Sequence, residues 1–200
     1  ERVVDAVKQA RLELETADVQ FKLASGSAGV MAATNEAVEA AQTPMLWYVY
    51  GAVILLCLMS FRSVKATIVV VLPLFVVSTL AQALMTYLEI GLTVSTMPVI
   101  ALGVGIGVDY GIYILSTMVE SLRQKKSLHE SYFLALKERG SAVLFTGLTL
   151  AIGVSTWVFS ALKFQVDMGI LLTFMFLVNM LGAVIILPAL AAVLLPNRRA

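Results

Sequence analysis

A single carboxylate, that of Asp109, interrupts the third long apolar run of this sequence. It stands in the glycine-rich string Gly103-Val104-Gly105-Ile106-Gly107-Val108-Asp109-Tyr110-Gly111. A carboxyl group at the depth of lipid hydrocarbon is costly, and acids in such positions mark substrate or proton pathways. Because hydrocarbon disfavours the charged form, the group can bind and release a proton near neutral pH. The string therefore predicts proton transfer, with a permanently protonated or hydrogen-bonded packing residue as the alternative.

The glycines around this acid do not all lie on its side of a helix. At about 100° per residue, Asp109 shares a face with Gly105 and Tyr113. The other glycines form a separate ridge, made by Gly103, Gly107 and Gly111. All four are predicted to serve helix packing, the ridge by letting another helix approach and Gly105 by leaving a gap beside the carboxylate. A dinucleotide-binding loop is excluded, because Val108 and Tyr110 stand where its third glycine is needed.

Composition places the chain in a membrane. The sequence is 60% hydrophobic and 14% charged, and its mean hydropathy of +0.92 is too high for a soluble domain. The net charge of +1 gives no basis for nucleic-acid binding. The sequence holds one histidine, His129 in a basic loop, and no cluster of metal-ligand residues. We therefore expect neither a metal nor another cofactor, and no enzymatic reaction.

Five apolar runs are each long enough to cross about 30 Å of hydrocarbon as a helix. They cover about 45–61, 66–87, 96–119, 142–162 and 168–195. Between the third and fourth runs, an apolar stripe in a basic segment at about 127–139 predicts a short amphipathic helix on the membrane surface. Residues 44–196 are thus predicted to form an all-α transmembrane domain, followed by a tail at 197–200.

Residues 1–43 contain no apolar run of that length and should lie in water. Their pattern predicts a helix to about Glu15, a strand at 18–23 and an alanine-rich helix at 28–41. So few elements cannot bury a core of their own, which indicates the end of a larger α/β domain. We therefore expect the chain to be one piece of a longer protein.

The charges of the loops predict how the spans are oriented. Nine cations lie on one side of them, in the 62–65 and 120–141 loops and after the fifth span. The opposite loops hold only one cation, Lys163. Because cytoplasmic loops are enriched in Lys and Arg, we expect the C-terminus in the cytoplasm and residues 1–43 outside it.

No Lys or Arg lies within the five predicted spans, so Asp109 needs hydroxyl or amide partners. The candidates are Tyr110 and Tyr113 on its own span, Thr146 and Thr149 on the fourth, and Asn179 on the fifth. Each hydroxyl can instead bond back to the carbonyl groups of its own helix.

Taken together, these features resemble one half of a resistance-nodulation-division (RND) transporter. The resemblance rests on the Gly-rich span with Asp109-Tyr110, the α/β-like head, the basic amphipathic segment and the last span with Leu187-Pro188-Ala189-Leu190. It is greatest with the MMPL-like branch of lipid and hydrophobe exporters, whose bundle is similar to that of sterol-sensing domain proteins. The drug-efflux branch pairs its acids with a buried lysine, which this sequence lacks. The short tail after the last span slightly favours the C-terminal half.

The resemblance implies a fold, namely a half-bundle of five transmembrane helices preceded by the end of an extracytoplasmic α/β porter domain, in the bacterial inner membrane. It also implies a secondary active transporter that exports lipids or other hydrophobic molecules by proton antiport. In that mechanism Asp109 would be the titrating group and Tyr110 its hydrogen-bonding partner, and the proton gradient would replace any cofactor.

The resemblance further implies several partners. They are the membrane lipids, the hydrophobic substrate, the other transporter half and the porter domain, with a homo-oligomer left open. Two other function classes stay open, a sterol-sensing-like module that binds lipid without pumping and an accessory subunit of protein translocation.

Overall fold

The computed structural model describes residues 27–91, 93–94 and 96–194, together with residues 6, 9–11 and 13–14. Within these residues the chain is almost entirely helical and contains no strand. The strand predicted at 18–23 lies outside the described residues. Of the helix predicted before Glu15 only the isolated positions are described, and all of them are helical. The prediction of an all-α membrane fold is confirmed for the described part.

The described chain forms five rods that are long and apolar enough to cross a membrane. The first three are single helices: α1 (Ser27–Phe61), α2 (Val64–Tyr87) and α3 (Met97–Arg123). In the fourth, α4 (Leu128–Ala135) continues through a π-helical segment, Leu136–Gly140, into α5 (Ser141–Ser155), which ends in a 3-10 turn, Thr156–Phe159. In the fifth, α6 (Lys163–Leu181) continues through the π-helical segment Gly182–Ile186 into α7 (Leu187–Leu194). The five predicted spans are thus present.

Helix α1 joins two elements that the sequence predicts separately, the helix at 28–41 and the span at 45–61. Pro44 lies inside α1 without ending it, because long membrane helices re-satisfy the carbonyl that a proline frees by local adjustment. With 35 residues at about 1.5 Å each, α1 is about 52 Å long. It therefore extends well beyond a hydrocarbon layer of about 30 Å.

Helix α4 is likewise continuous with the fourth span, although the sequence predicts a separate surface helix. A capping box starts it: Ser127 Oγ accepts the Glu130 N–H at 3.2 Å, and a Glu130 carboxylate oxygen accepts the Ser127 N–H at 2.9 Å. The helix then packs along the last turns of α3, where Ser131 and Ala135 are buried. The predicted amphipathic segment is therefore the first part of the rod that contains the fourth span.

Helices α2 and α3 end in the same backbone motif. Glu89 and Lys125 adopt left-handed conformations, with φ of 54° and 63°. The following amides donate back across the helix end, Ile90 to Met85 O at 2.9 Å and Lys126 to Ser121 O at 3.2 Å. This is the Schellman motif, which favours glycine at its left-handed position because glycine has no Cβ.

Replacing Lys125 by Gly should therefore raise the free energy of unfolding by about 1 kcal/mol, since a side chain in the left-handed region costs about 1–2 kcal/mol. Lys125→Ala is the matched control, because it removes the charge and keeps the Cβ. Thermal unfolding of the detergent-solubilised protein measures both. Equal effects of the two substitutions would show that the charge, and not the backbone, limits stability at this turn.

Candidate functional site

Helix α3 carries the acid and is the most enclosed rod of the described bundle. It packs against α1, α2, α4 and α6. Pro98 in its first turn suits a helix start, and Arg123 in its last turn suits the negative end of the helix dipole. The neighbours of α3 therefore fix which of its faces is buried and which is open.

One face of α3 is in close contact with α6. A Cβ on Gly103 would collide with the side chain of Met175, and one on Gly107 would lie 2.6 Å from Asn179 Cγ. Asn179, which is buried, donates from Nδ2 to the backbone oxygen of Gly103 at 2.8 Å. The two helices approach closely because glycines leave room for larger side chains opposite, as is common in membranes. Asn179 thus links α6 to α3 by a hydrogen bond and does not face Asp109.

The same face of α3 also contacts α2. A Cβ on Gly107 would lie 2.7 Å from Leu74 Cδ2, and one on Gly111 would lie 2.9 Å from Val70 Cγ1. Gly105 differs from these glycines, because an added Cβ there meets nothing within 4 Å. Three of the four glycines therefore face the described bundle, and Gly105 faces away from it.

The opposite face of α3 is uncovered by the described helices. We call it the acid face, defined by Leu102, Gly105, Asp109, Tyr113 and Ser116. Leu102 is 49% exposed and Tyr113 is 52% exposed, and Asp109 and Ser116 are exposed as well. Among the described residues, no side chain forms a hydrogen bond or an ion pair with the Asp109 carboxyl. Asp109 therefore points out of this bundle.

Tyr110 lies about 100° around α3 from its sequence neighbour Asp109, on a buried face. It is 1% exposed, and its hydroxyl is buried with no hydrogen-bond partner among the described residues. Tyr113, in contrast, lies on the acid face one turn beyond Asp109. Because helical side chains lean towards the N-terminus, Tyr113 leans towards the turn that holds the acid.

The two threonines proposed from the sequence are not joined to the acid. Thr146 and Thr149 are exposed on α5, which packs chiefly against α6. Gly147, between them, faces Met180, whose Sδ would lie 2.7 Å from an added Cβ. The helical period of the sequence shows which α5 residues share a face, but it does not show which neighbouring helix that face contacts. The described residues thus do not assemble the predicted partners around Asp109.

The model of the MMPL family matches residues 1–198. The chain belongs to this family. The resemblance to MMPL-like RND transporters is therefore confirmed, and the chain is a multi-pass membrane protein related to transporters.

Three curated membrane proteins are similar to it. The putative membrane protein MJ1562 of Methanocaldococcus jannaschii is 26% identical over 117 residues, which are 58% of this chain and 30% of that protein. The putative membrane protein ActII-3 of Streptomyces coelicolor is 24% identical over 174 residues, which are 84% of this chain and 24% of that protein. The putative membrane protein SCO6666 of the same organism is 33% identical over 89 residues, 44% of this chain and 13% of that protein. The chain thus spans at most 30% of the length of these relatives.

This MMPL family chain also has an apolar groove that sequence reasoning missed. It lies between α1 and α2 and encloses about 580 Å³. The Tyr50 ring meets the Phe75 ring edge-on at 6.2 Å, and its hydroxyl donates to Ser78 Oγ at 2.7 Å. Trp47 and Leu72 line the groove as well. The apolar runs show that both helices span the membrane, but a groove depends on the spacing between them.

The glycine face predicts different effects for two substitutions of the same kind. Gly107→Ala should lower the free energy of unfolding by up to about 2 kcal/mol, since overpacking costs about 1–3 kcal/mol and alanine's helix preference offsets about 1 kcal/mol of that. Gly153→Ala on α5 should raise it by up to about 1 kcal/mol, because its Cβ meets nothing within 4 Å. Thermal unfolding in detergent measures both variants. Equal shifts of their unfolding temperatures would contradict the close contact of α3 with α6 and α2.

Proposed function

We propose that this chain is part of an RND-type exporter of lipids or other hydrophobic molecules, driven by the proton motive force, in which Asp109 carries the proton. The observation that carries this proposal is the place of Asp109, at the middle of α3 on the acid face. At about 1.5 Å per residue, Asp109 lies about 18 Å from the start of α3 and about 21 Å from its end. Both ends of the helix are therefore far from the carboxyl.

The lack of a fixed counter-charge supports proton binding as the chemistry. No cation pairs with Asp109 among the described residues. A carboxylate without such a partner is strongly disfavoured in hydrocarbon, so binding and losing a proton is the way in which its charge changes. In the proposed mechanism, alternation between the protonated and the charged carboxyl couples a conformational change of the protein to proton entry.

The open acid face supports a second bundle as the partner. Membrane acids face a bundle interior or a water-filled cavity and not lipid, yet the five described rods leave Asp109 uncovered. We infer that the other transporter half covers the acid face and places Asp109 at the centre of the complete bundle. Cytoplasmic placement of the C-terminus, in a bacterial inner membrane, belongs to the same proposal and rests on the loop charges.

Tyr110 has a role in this proposal because of its unpartnered hydroxyl. A buried hydroxyl without a hydrogen bond costs about 1–3 kcal/mol, so its retention calls for a reason. A water buried beside this hydroxyl can accept its hydrogen bond and so carry a proton towards Asp109, its neighbour in the sequence. Tyr113 on the acid face is the second candidate for the same step.

The groove between α1 and α2 supports a hydrophobic cargo. Its walls are almost entirely apolar, and its size suits a lipid chain. The groove would equally serve the alternative function, a lipid-binding module that does not pump. The role of Asp109 separates the two, because only the exporter needs its proton.

Asp109→Asn should therefore abolish export while leaving the protein folded, since the amide keeps the shape of the side chain and cannot change charge. The assay follows the lipids that cells bearing the full-length protein place outside the inner membrane, with and without a protonophore. Asp167→Asn is the matched control, because Asp167 pairs with Lys163 at 3.3 Å at the start of α6 and is not part of the acid face. Unchanged export by a normally folded Asp109→Asn protein would contradict the proton-carrier hypothesis.

Tyr110→Phe should separate a relay role from a structural one. Removing an unpartnered hydroxyl should leave the unfolding temperature unchanged or raise it, whereas the export rate should fall about tenfold or more. Tyr50→Phe is the control, because it removes a hydroxyl that bonds to Ser78 at 2.7 Å and should lower the unfolding temperature. Full export activity of the Tyr110→Phe protein would exclude Tyr110 from the relay.

A further inference from the structure

A polar cavity of about 550 Å³ lies where α3 ends, and Ser116 at the end of the acid face is in its wall. Its walls come from the end of α1, the last turns of α3 with the loop that follows, and the rod that begins with α4. Three cations line it, namely Arg123, Lys126 and Arg139. The fold thus gathers them from two antiparallel segments.

In the part of the chain that the structure describes, no carboxylate forms an ion pair with these cations, although Lys126 lies close enough to Glu130 to interact with it electrostatically. An ion pair that does form joins Lys163 to Asp167, at the other end of the bundle. Three like charges around one cavity repel each other, and a bound anion would relieve that repulsion. The cavity therefore fits an anionic ligand.

Two carboxylates limit what that anion can be. Glu120 and Glu138 also line the cavity, so three cations less two carboxylates leave a formal charge of +1. Glu120 accepts a hydrogen bond from Gln124 Nε2 at 3.3 Å and has further lone pairs free. The set matches a ligand with one negative charge and additional hydroxyl donors.

The position of the cavity points to a membrane lipid. About 20 helical residues cross the hydrocarbon, so a span that begins near Met97 leaves it near Thr117. Residues 120–126 then lie at the level of the lipid headgroups, where basic pockets between helices bind anionic lipids. Phe61 and Leu134 add apolar wall, against which the first part of an acyl chain can lie.

We propose that this cavity binds the headgroup of a monoanionic phospholipid of the phosphatidylglycerol type. Arg123, Lys126 and Arg139 hold the phosphodiester, and Glu120 and Glu138 accept hydrogen bonds from the glycerol hydroxyls. The site does not depend on the proton-carrier role of Asp109, and a failure of either proposal leaves the other standing.

The test compares two neighbouring cations in the full-length protein. Both Arg139 and Lys137 are exposed on the same π-helical segment, but only Arg139 lines the cavity. Binding of phosphatidylglycerol and phosphatidylcholine is measured by titrating mixed micelles of each lipid against the purified protein. We expect Arg139→Ala to weaken phosphatidylglycerol binding about tenfold, as the loss of a charge-assisted hydrogen bond does, and Lys137→Ala to leave it unchanged.

Equal losses in the two variants would show general attraction to a charged surface and overturn the site, as would equal binding of the two lipids by the unaltered protein. Arg139→Lys should recover part of the affinity, and matching circular dichroism spectra exclude misfolding as the cause. The second experiment is a competition in which soluble glycerol phosphate is added to the protein with bound lipid. Displacement of the lipid by an equimolar amount of it would assign the cavity to a soluble phosphate compound and overturn the lipid assignment.

Discussion

The bundle depends on the contact between the glycine face of α3 and the side chains of α6 and α2. Met175, Asn179 and Leu74 occupy the space that Cβ atoms would take at Gly103 and Gly107. The hydrogen bond from Asn179 to the Gly103 backbone fixes the rotation of α3 as well as its distance from α6. Hydrocarbon offers no hydrophobic drive for helix association, so close packing and a buried hydrogen bond of this kind hold the helices together.

That rotation has a chemical consequence. Since Asp109 lies on the opposite side of α3 from this face, the contact that stabilises the half-bundle also turns the acid out of it. Tyr110 is turned inward by the same geometry and brings its hydroxyl into the apolar core. Packing and chemistry are therefore not independent in α3, because a change in its rotation would move both side chains.

The sequence predicted the features that periodicity and length determine. Five spans follow from the thickness of a bilayer, and the separation of Asp109 from Gly103, Gly107 and Gly111 follows from 3.6 residues per turn. Features that depend on the placement of neighbouring helices could not be predicted from the sequence. Pro44 and the charges near Lys137 mark places where a helix can end, and only the surrounding structure decides that it continues. The side of α5 that Thr146 and Thr149 face, the groove beside Tyr50 and the cavity beside Arg139 all depend on how whole helices are placed.

The two interpretations of Asp109 make the same demand on its surroundings. A permanently protonated acid that ties helices together needs an acceptor for its proton, as Asn179 needs the Gly103 carbonyl. The described residues offer Asp109 no such acceptor, so a packing role requires a further transmembrane element on the acid face just as a proton-carrier role does. The interpretations differ only in whether the charge changes. Gly105 lies one turn before Asp109 on the same open face, where an added Cβ meets nothing within 4 Å in the described bundle. The element that covers this face therefore decides which role Asp109 has, by placing either a fixed acceptor or a water beside the carboxyl.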